Sequence, residues 1–367
     1  LDENHRGTPL PECPMSVLSY ELHSCNSSIA VASMAKQEGH MQLADHFGVL
    51  LRDTVNLSQF RLDTLDDRVS KIYSALQKDG DLGPRVLGMS KQGSWAHRTI
   101  ISPVGENEFD ADFMLHLEDD TTWTPQDFLT NVKSALMRNS VYRSMTVNRK
   151  NRCVRVVYAN SCHIDIVPAI KRGGLEYVAN YKDNLWEATD PEGFTRWMKE
   201  KDDLAGGNLR RVIRLMKFLR DHRGSFTGTR SVILTTLLGE QVQAHRTLGD
   251  AGYYKNVPTS LVHIIEDLDT YLSANPTKPV IMDPSGSGAS FDHRWTQETY
   301  TYFRERIHAH AAEMRAAYDS SSKDDSVAKW KAQFGEGFKA PSSSEASTPF
   351  GEPKSPPAAP SLSGRAG

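Results

Sequence analysis

The spacing of apolar residues along the chain already divides it into helices and strands. Leu62, Leu65, Val69, Ile72 and Leu76 recur at alternating spacings of three and four, which sets them on one helix face. Asp79-Gly80 and Gly83-Pro84 end that helix. From Phe109 to Leu117 the period changes to two. Phe109, Ala111, Phe113, Leu115 and Leu117 fall on one face, and Asp110, Asp112, Met114 and His116 on the other, the pattern of a strand with one buried side. Pro125 opens a predicted helix carrying Phe128, Leu129, Val132 and Leu136. Strands follow at 152–158 and 162–167, with Ala159-Asn160-Ser161 as the hairpin turn between them.

From about residue 191 the pattern becomes helical and stays so. Asn208 is the predicted cap of a helix running to Arg223, with Leu209, Val212, Met216 and Leu219 inward. Further helices are predicted over 229–243, 258–274 and 296–318, with a Pro/Gly/Ser-rich loop at 276–290. Residues 1–15 are polar, with prolines, and read as a flexible start. From about 335 the chain is rich in Ser, Pro, Ala and Gly and reads as a disordered tail, because it buries too little to offset its ordering entropy. The expected organisation is therefore a flexible 1–15, an α/β core over 16–190 with long N-terminal helices, a helical domain over 191–334 and a tail over 335–367.

Bulk composition narrows the class. The 367 residues, 38% of them hydrophobic and 24% charged, suit a globular protein of one large or two packed domains. A formal net charge of −3 argues against a chain whose main task is gripping long nucleic acid. Cys13, Cys25, Cys153 and Cys162 form no CxxC pair and have no histidine at zinc-finger spacing, so they read as reduced thiols rather than a zinc site. No apolar run is long enough to span a bilayer, and the N-terminus lacks the apolar core of a signal peptide. A cytoplasmic protein with no membrane partner is expected.

The acids on the 109–117 strand carry the chemistry. Aspartate is disfavoured in strands, yet Asp110 and Asp112 point the same way, about 6.6 Å apart at Cα. Two carboxylates about 5 Å apart repel by about 3 kcal/mol at an effective dielectric of about 20. A divalent cation is the usual remedy, and hard oxygen ligands suit Mg²⁺ or Mn²⁺. Alone, the pair reads as well as two solvated acids on an exposed edge. It is not alone. Gly93-Ser94 lies upstream at a turn suited to phosphate oxygens. Asp165 lies downstream between Ile164 and Ile166, which face the core and turn it to the opposite side. Three carboxylates together make a site for two metal ions.

Other polar residues weigh less. Arg210, Arg214 and Lys217 share one helix face, which by itself reads as a solvated basic face; beside the acids, Lys217 is the candidate for phosphate, and Arg220 and Arg223 keep the solvated reading. His116 and His163 read as packing or hydrogen-bonding residues. Tyr253 and Tyr254 are as suited to core or surface as to stacking on a base, and Trp186 and Trp197 read as core.

The order Gly-Ser, DxD strand, third Asp on a neighbouring strand resembles the polymerase β-like nucleotidyltransferases. More narrowly, QGSWAHRTIISP (92–103), EFDADFMLHL (108–117), CHIDIVPAI (162–170), WEATDPEGFTRWM (186–198), LRRVIRLMKFLRDHR (209–223) and VIMDPSGSGAS (280–290) resemble the CD-NTase branch, which includes cyclic GMP-AMP synthase, oligoadenylate synthase and the bacterial CBASS synthases. The resemblance covers about residues 40–320. It implies an α+β fold, a polymerase β-like core of mixed sheet and helices plus a helical C-terminal domain, in two lobes. It implies an enzyme that joins ATP, and possibly other NTPs, into a cyclic or short linear oligonucleotide second messenger, with release of pyrophosphate, in anti-phage signalling through a downstream effector. By position, Asp110, Asp112 and Asp165 would be catalytic and would bind two Mg²⁺ or Mn²⁺ ions. Gly93, Ser94, Lys217 and Ser231 would bind the triphosphate. Arg98 stands where the family pattern has glycine. The zinc-binding insertion of the animal enzyme has no counterpart, so no long-DNA activator is implied. Some relatives end in a glycine that a ubiquitin-transfer-like enzyme joins to a target, which makes Gly367 a candidate for conjugation. Two other readings stay open: transfer to an RNA, protein or small-molecule acceptor, and a catalytically inactive nucleotide-sensing scaffold.

Overall fold

A computed structural model describes residues 42–105, 109–159 and 162–342 of the chain. These fall within one compact unit that begins at Met41. The flexible start expected at 1–15, the turn residues Asn160 and Ser161, and Gly367 lie outside the described residues.

Helix α1 (Ala44–Leu50) continues as a π-helical turn over Leu51–Val55, and α2 (Gln59–Gln77) follows. Leu65, Val69, Ile72 and Leu76 of α2 are buried, as their spacing predicts. Strand β1 (Val86–Gln92) leads into the short helix α3 (Gly93–Ala96), and β2 (Phe109–Leu117) returns beside β1. Helix α4 (Pro125–Arg138) starts at a capping box in which Thr124 and Asp127 exchange hydrogen bonds, with Pro125 in the first turn where its missing N–H is harmless. Then come β3 (Thr146–Arg149), β4 (Val154–Tyr158), β5 (Cys162–Arg172), β6 (Leu175–Asn180) and β7 (Leu185–Thr189).

The strands form one mixed sheet in the order β1-β2-β5-β4-β3, with β6 pairing β5 and β7. β2 and β5 run parallel; the other pairings are antiparallel. β5 extends to Arg172, beyond the end expected at 167, and passes through Pro168. On that side of β5, β4 pairs as far as Ile166 and β6 begins at Ala169, so Val167 and Pro168 fall in the gap between two neighbours. A residue without an N–H is tolerated at such a break in the ladder.

The remaining helices are α5 (Pro191–Leu204), α6 (Leu209–Arg223), α7 (Ser231–Glu240), α8 (Ala244–Gly249), α9 (Val257–Ala274), α10 (Gln297–Tyr318) and α11 (Lys323–Phe334). Asn208 precedes α6 as expected but does not cap it; its side chain donates to the Tyr254 carbonyl and accepts from Arg211. The carboxylate of Asp202 accepts the Arg210 amide in the first turn instead. α7 is shorter than the 229–243 predicted.

Two large apolar cores result. One lies between the sheet and helices α2 and α4, around Leu65, Phe113, Phe128 and Ile164. The other fills the helical half, around Leu215, Ile233, Ile265, Phe303 and Trp330. Helix α1 precedes the sheet in sequence yet packs in the second core: Phe47 meets Trp330, Phe334 and Phe338 edge-on at 4.9, 6.0 and 5.0 Å between ring centres. The sequence boundary at 190/191 misses this, because the pattern of α1 shows that it is amphipathic but not which core takes it. The tail boundary at 335 also falls early, since Phe338 is fully buried. No helix among the described residues is long and apolar enough to cross a membrane.

Candidate active site

The sheet register assembles the acids. Parallel pairing of β2 with β5 sets Asp112 beside Asp165 and Asp110 beside His163. Antiparallel pairing of β1 with β2 sets Gln92, the last residue of β1, opposite Asp112. The chain then turns at Gly93 with φ +60°, a left-handed conformation that glycine adopts without strain. Space is tight here too: a Cβ on Gly93 would lie 2.9 Å from Oδ2 of Asp112, so that carboxylate would have to shift. The Gly93-Ser94 turn thus sits directly against the carboxylate.

Burial pushes the Asp112 carboxyl up to about 7, and the neighbouring charges of Asp110 and Asp165 add to the shift; Arg155 opposes it. Asp165 is 6% exposed. Both of its oxygens are held by Arg155 of β4, Nε to Oδ1 and Nη2 to Oδ2, each at 2.7 Å. This is the two-bond fork that arginine makes with a carboxylate. Cys153 adds a side-chain hydrogen bond to Asp165, and burial raises its thiol well above the usual range. Among the described residues, no three His, Cys, Asp or Glu side chains converge as a ready metal-ligand set. Asp110 and Asp112 face a common cavity with the donor chemistry a hard cation takes; Asp165 is engaged by Arg155 instead.

That cavity, about 610 Å³, is lined by Gly93, Ser94, Asp110 and Asp112 from the sheet and its first turn, and by Lys217, Arg220, Ser231 and Thr235 from α6 and α7. Six of the seven residues expected from sequence therefore meet there; Asp165 adjoins Asp112 without lining the cavity. Lys217 is buried, and its Nζ donates to the carbonyl and hydroxyl of Thr99 at 3.0 and 3.2 Å. Burial first, then Arg220 nearby, lowers its pKa to about 7, with Asp110 acting in the opposite sense.

The basic face of α6 is not solvated. Arg210 Nε, Arg214 Nη1 and Lys217 Nζ donate to the carbonyls of His97, Arg98 and Thr99, each at 3.0 Å. Three residues a turn apart on a helix thus meet three consecutive carbonyls on the segment that follows Gly93-Ser94. Arg98 has φ +56°, which accounts for the glycine usual at that position of the pattern; its carbonyl is turned toward Arg214. Arg220, read from sequence as solvated, lines the cavity and donates to Ser231 Oγ at 3.2 Å and to the Thr229 carbonyl. His116 bonds Ser90. Tyr254 is buried, Tyr253 donates to Asp267, and neither lines the cavity. Sequence reasoning missed His97, Thr99 and Arg155; of these His97 and Thr99 lie inside the quoted 92–103 motif, and Arg155 carried no signal.

Residues 41–202 match the family described as the Second Messenger Oligonucleotide or Dinucleotide Synthetase (SMODS) domain. The chain is 24% identical over 235 residues to the c-di-GMP synthase of Roseivirga ehrenbergii, covering 55% of this chain and 62% of that protein. It is 24% identical over 216 residues to the cyclic AMP-AMP-AMP synthase of an Acinetobacter species, covering 58% and 60%. The chain thus spans about three fifths of the length of these curated relatives. In three dimensions it resembles the CD-NTase CdnG of Bradyrhizobium diazoefficiens, solved with GTP, at a TM-score of 0.64 and 16% identity over 81% of this chain and 96% of that one. The chain is thus similar to the SMODS domain over residues 41–202, and its fold is similar to that of a CD-NTase.

Proposed function

We propose that the protein is a metal-dependent nucleotidyltransferase that joins nucleoside triphosphates, ATP among them, into a cyclic or short linear oligonucleotide second messenger of CBASS-type signalling. The observation that carries this is the shared cavity, which Asp110, Asp112, Gly93 and Ser94 line together with Lys217 and Ser231 of the helical half. The oligonucleotide product is supported by the synthases the chain is similar to.

Asp110 and Asp112 would hold Mg²⁺ or Mn²⁺, with Asp165 as the third ligand of a two-ion site. The oxygen donors fit such ions; burial first, then the charges of Asp110 and Asp165, raises Asp112, and a cation bound there would favour its ionised form. Bound there, the ions would supply Lewis acidity, activating a ribose hydroxyl and neutralising the departing pyrophosphate. The chain's own residues do the positioning. Ser94 and the Gly93-Ser94 backbone bind phosphate oxygens. Lys217 binds the triphosphate from the helical half, and the anion restores the charge that burial disfavours. Thr99 steadies Lys217, and Arg220 steadies Ser231. Holding donor and acceptor in one orientation is the main service such a site renders to phosphoryl chemistry.

The purified chain, incubated with four labelled NTPs and Mg²⁺ or Mn²⁺, is expected to release pyrophosphate and to yield a phosphatase-resistant product identifiable by mass. Asp110→Asn with Asp112→Asn is expected to reduce pyrophosphate release roughly a hundredfold or more with the fold retained. Substantial release by the folded double variant would sink the assignment. Turnover only after addition of an RNA, protein or small molecule would replace the cyclase reading with transfer to an external acceptor.

A further inference from the structure

Asp165 poses a problem that the rest of the site does not. It stands in register beside Asp112, yet it does not line the cavity, and both its oxygens are taken by a guanidinium. The fork is a cross-strand pair, because Arg155 and Asp165 are register partners on β4 and β5. The arginine is thus aimed by the sheet rather than by a mobile loop.

Charge suggests what the fork does. Three carboxylates and one guanidinium leave a net charge of −2, which one divalent ion neutralises. A second ion beside Asp165 would meet Arg155 already in the place a cation should take. A nucleoside triphosphate brings roughly four further negative charges and changes that balance. An arginine serving only to staple β4 to β5 would be indifferent to what fills the cavity, and any other strand pair would have served. This one falls on the acid that the two-ion reading requires.

We propose that Arg155 is a positioning residue for the third carboxylate: it closes the second-ion position in the nucleotide-free protein and yields an Asp165 oxygen when a nucleotide arrives. Nucleotide and second ion then bind together, and the free enzyme does not hold a complete two-ion centre. Arg155 has this role only if the acids serve a metal-dependent transferase, as proposed above.

Mn²⁺ binding to the full chain at pH 8 tests it without reference to turnover. Free Mn²⁺ is followed by electron paramagnetic resonance, with and without a non-hydrolysable NTP. Wild type is expected to take one ion without nucleotide and two with it. Arg155→Gln is expected to take the second ion without nucleotide, at least about tenfold tighter than wild type does. Arg155→Lys, which keeps the charge but loses the fork and disturbs folding less, is expected to fall between. Unchanged stoichiometry and affinity in both folded variants would overturn the role of Arg155, as would two ions already bound by nucleotide-free wild type. Failure of wild type to bind any Mn²⁺, even with nucleotide, would overturn the metal-dependent function instead. The Asp110→Asn/Asp112→Asn protein supplies the blank for both.

Discussion

His97 lies 9% exposed with its ring stacked on Phe194, 4.7 Å between centres. Burial, with Lys217 and Arg210 adding to it, lowers its pKa to about 3. An unfolded histidine titrates near the model value of 6.5, so between these values the unfolded chain binds more protons than the folded one. The stabilisation is complete above pH 6.5 and is lost as pH falls toward 3. From pH 6.5 to 5.5 this residue is expected to remove up to about 1 kcal/mol of unfolding free energy. His46, His263, His293 and His310 are lowered too and share the acid slope. Denaturant titrations of His97→Phe across that range should show a slope smaller by roughly one proton; an unchanged slope would remove His97 as a cause. At this scale the sequence was legible where a residue type conflicted with its element. Asp110 and Asp112 stood out because aspartate is out of place in a strand. Gly93 stood out as a turn residue, but its contact with Asp112 did not. Arg155 gave no signal at all, since an arginine on a strand's polar face reads as solvated until the register supplies its partner.

The start of α6 shows what a helix needs beyond its own residues. Arg210 gives Nη1 to Asp202 at 2.8 Å and Nε to the His97 carbonyl, while Asp202 also accepts the Arg210 amide. Asp202 is 3% exposed, so removal of its cation leaves a buried charge. Arg210→Met is expected to destabilise the protein by about 3 kcal/mol or more. Adding Asp202→Asn, which removes the stranded charge and keeps an oxygen for the amide, should restore part of the loss. Urea unfolding of the two single variants and the double reads the coupling, and strict additivity would refute it. Elements with a strong period were legible: α2, α4 and β2 lie where their apolar spacing put them. β6 and β7 were not, since their short runs carry no clean alternation and take their place from pairing with β5 and with each other. Asn208 misled because a capping residue type was present while a distant backbone carbonyl claimed its side chain.

At the scale of the molecule, the helical half closes on a residue far along the chain. Phe338 is fully buried, 5.0 Å from the Phe47 ring and 6.2 Å from Trp330. Phe338→Ala is expected to cost about 3–5 kcal/mol, the range for emptying a buried aromatic site. A lowered midpoint in thermal or urea unfolding checks it, and a shift of less than about 1 kcal/mol would place Phe338 outside the core. The switch of period near residue 191 coincides with the end of the strands at Thr189 and the start of the helices at Pro191. That α1 joins the second half was not, because a helix's apolar stripe does not name its counterpart.

The three bonds from α6 to the carbonyls of His97, Arg98 and Thr99 have a mechanical consequence. They brace the cavity like rungs, tying the helical wall to the segment behind the carboxylate wall. Parting the walls would break several charge-assisted bonds together, a steep resistance to gaping. On the proposed function, nucleotides would enter a mould of nearly fixed width rather than a jaw that shuts on them. Discrimination among bases would then fall to the shape of that mould, and a growing oligonucleotide would have to turn over inside it.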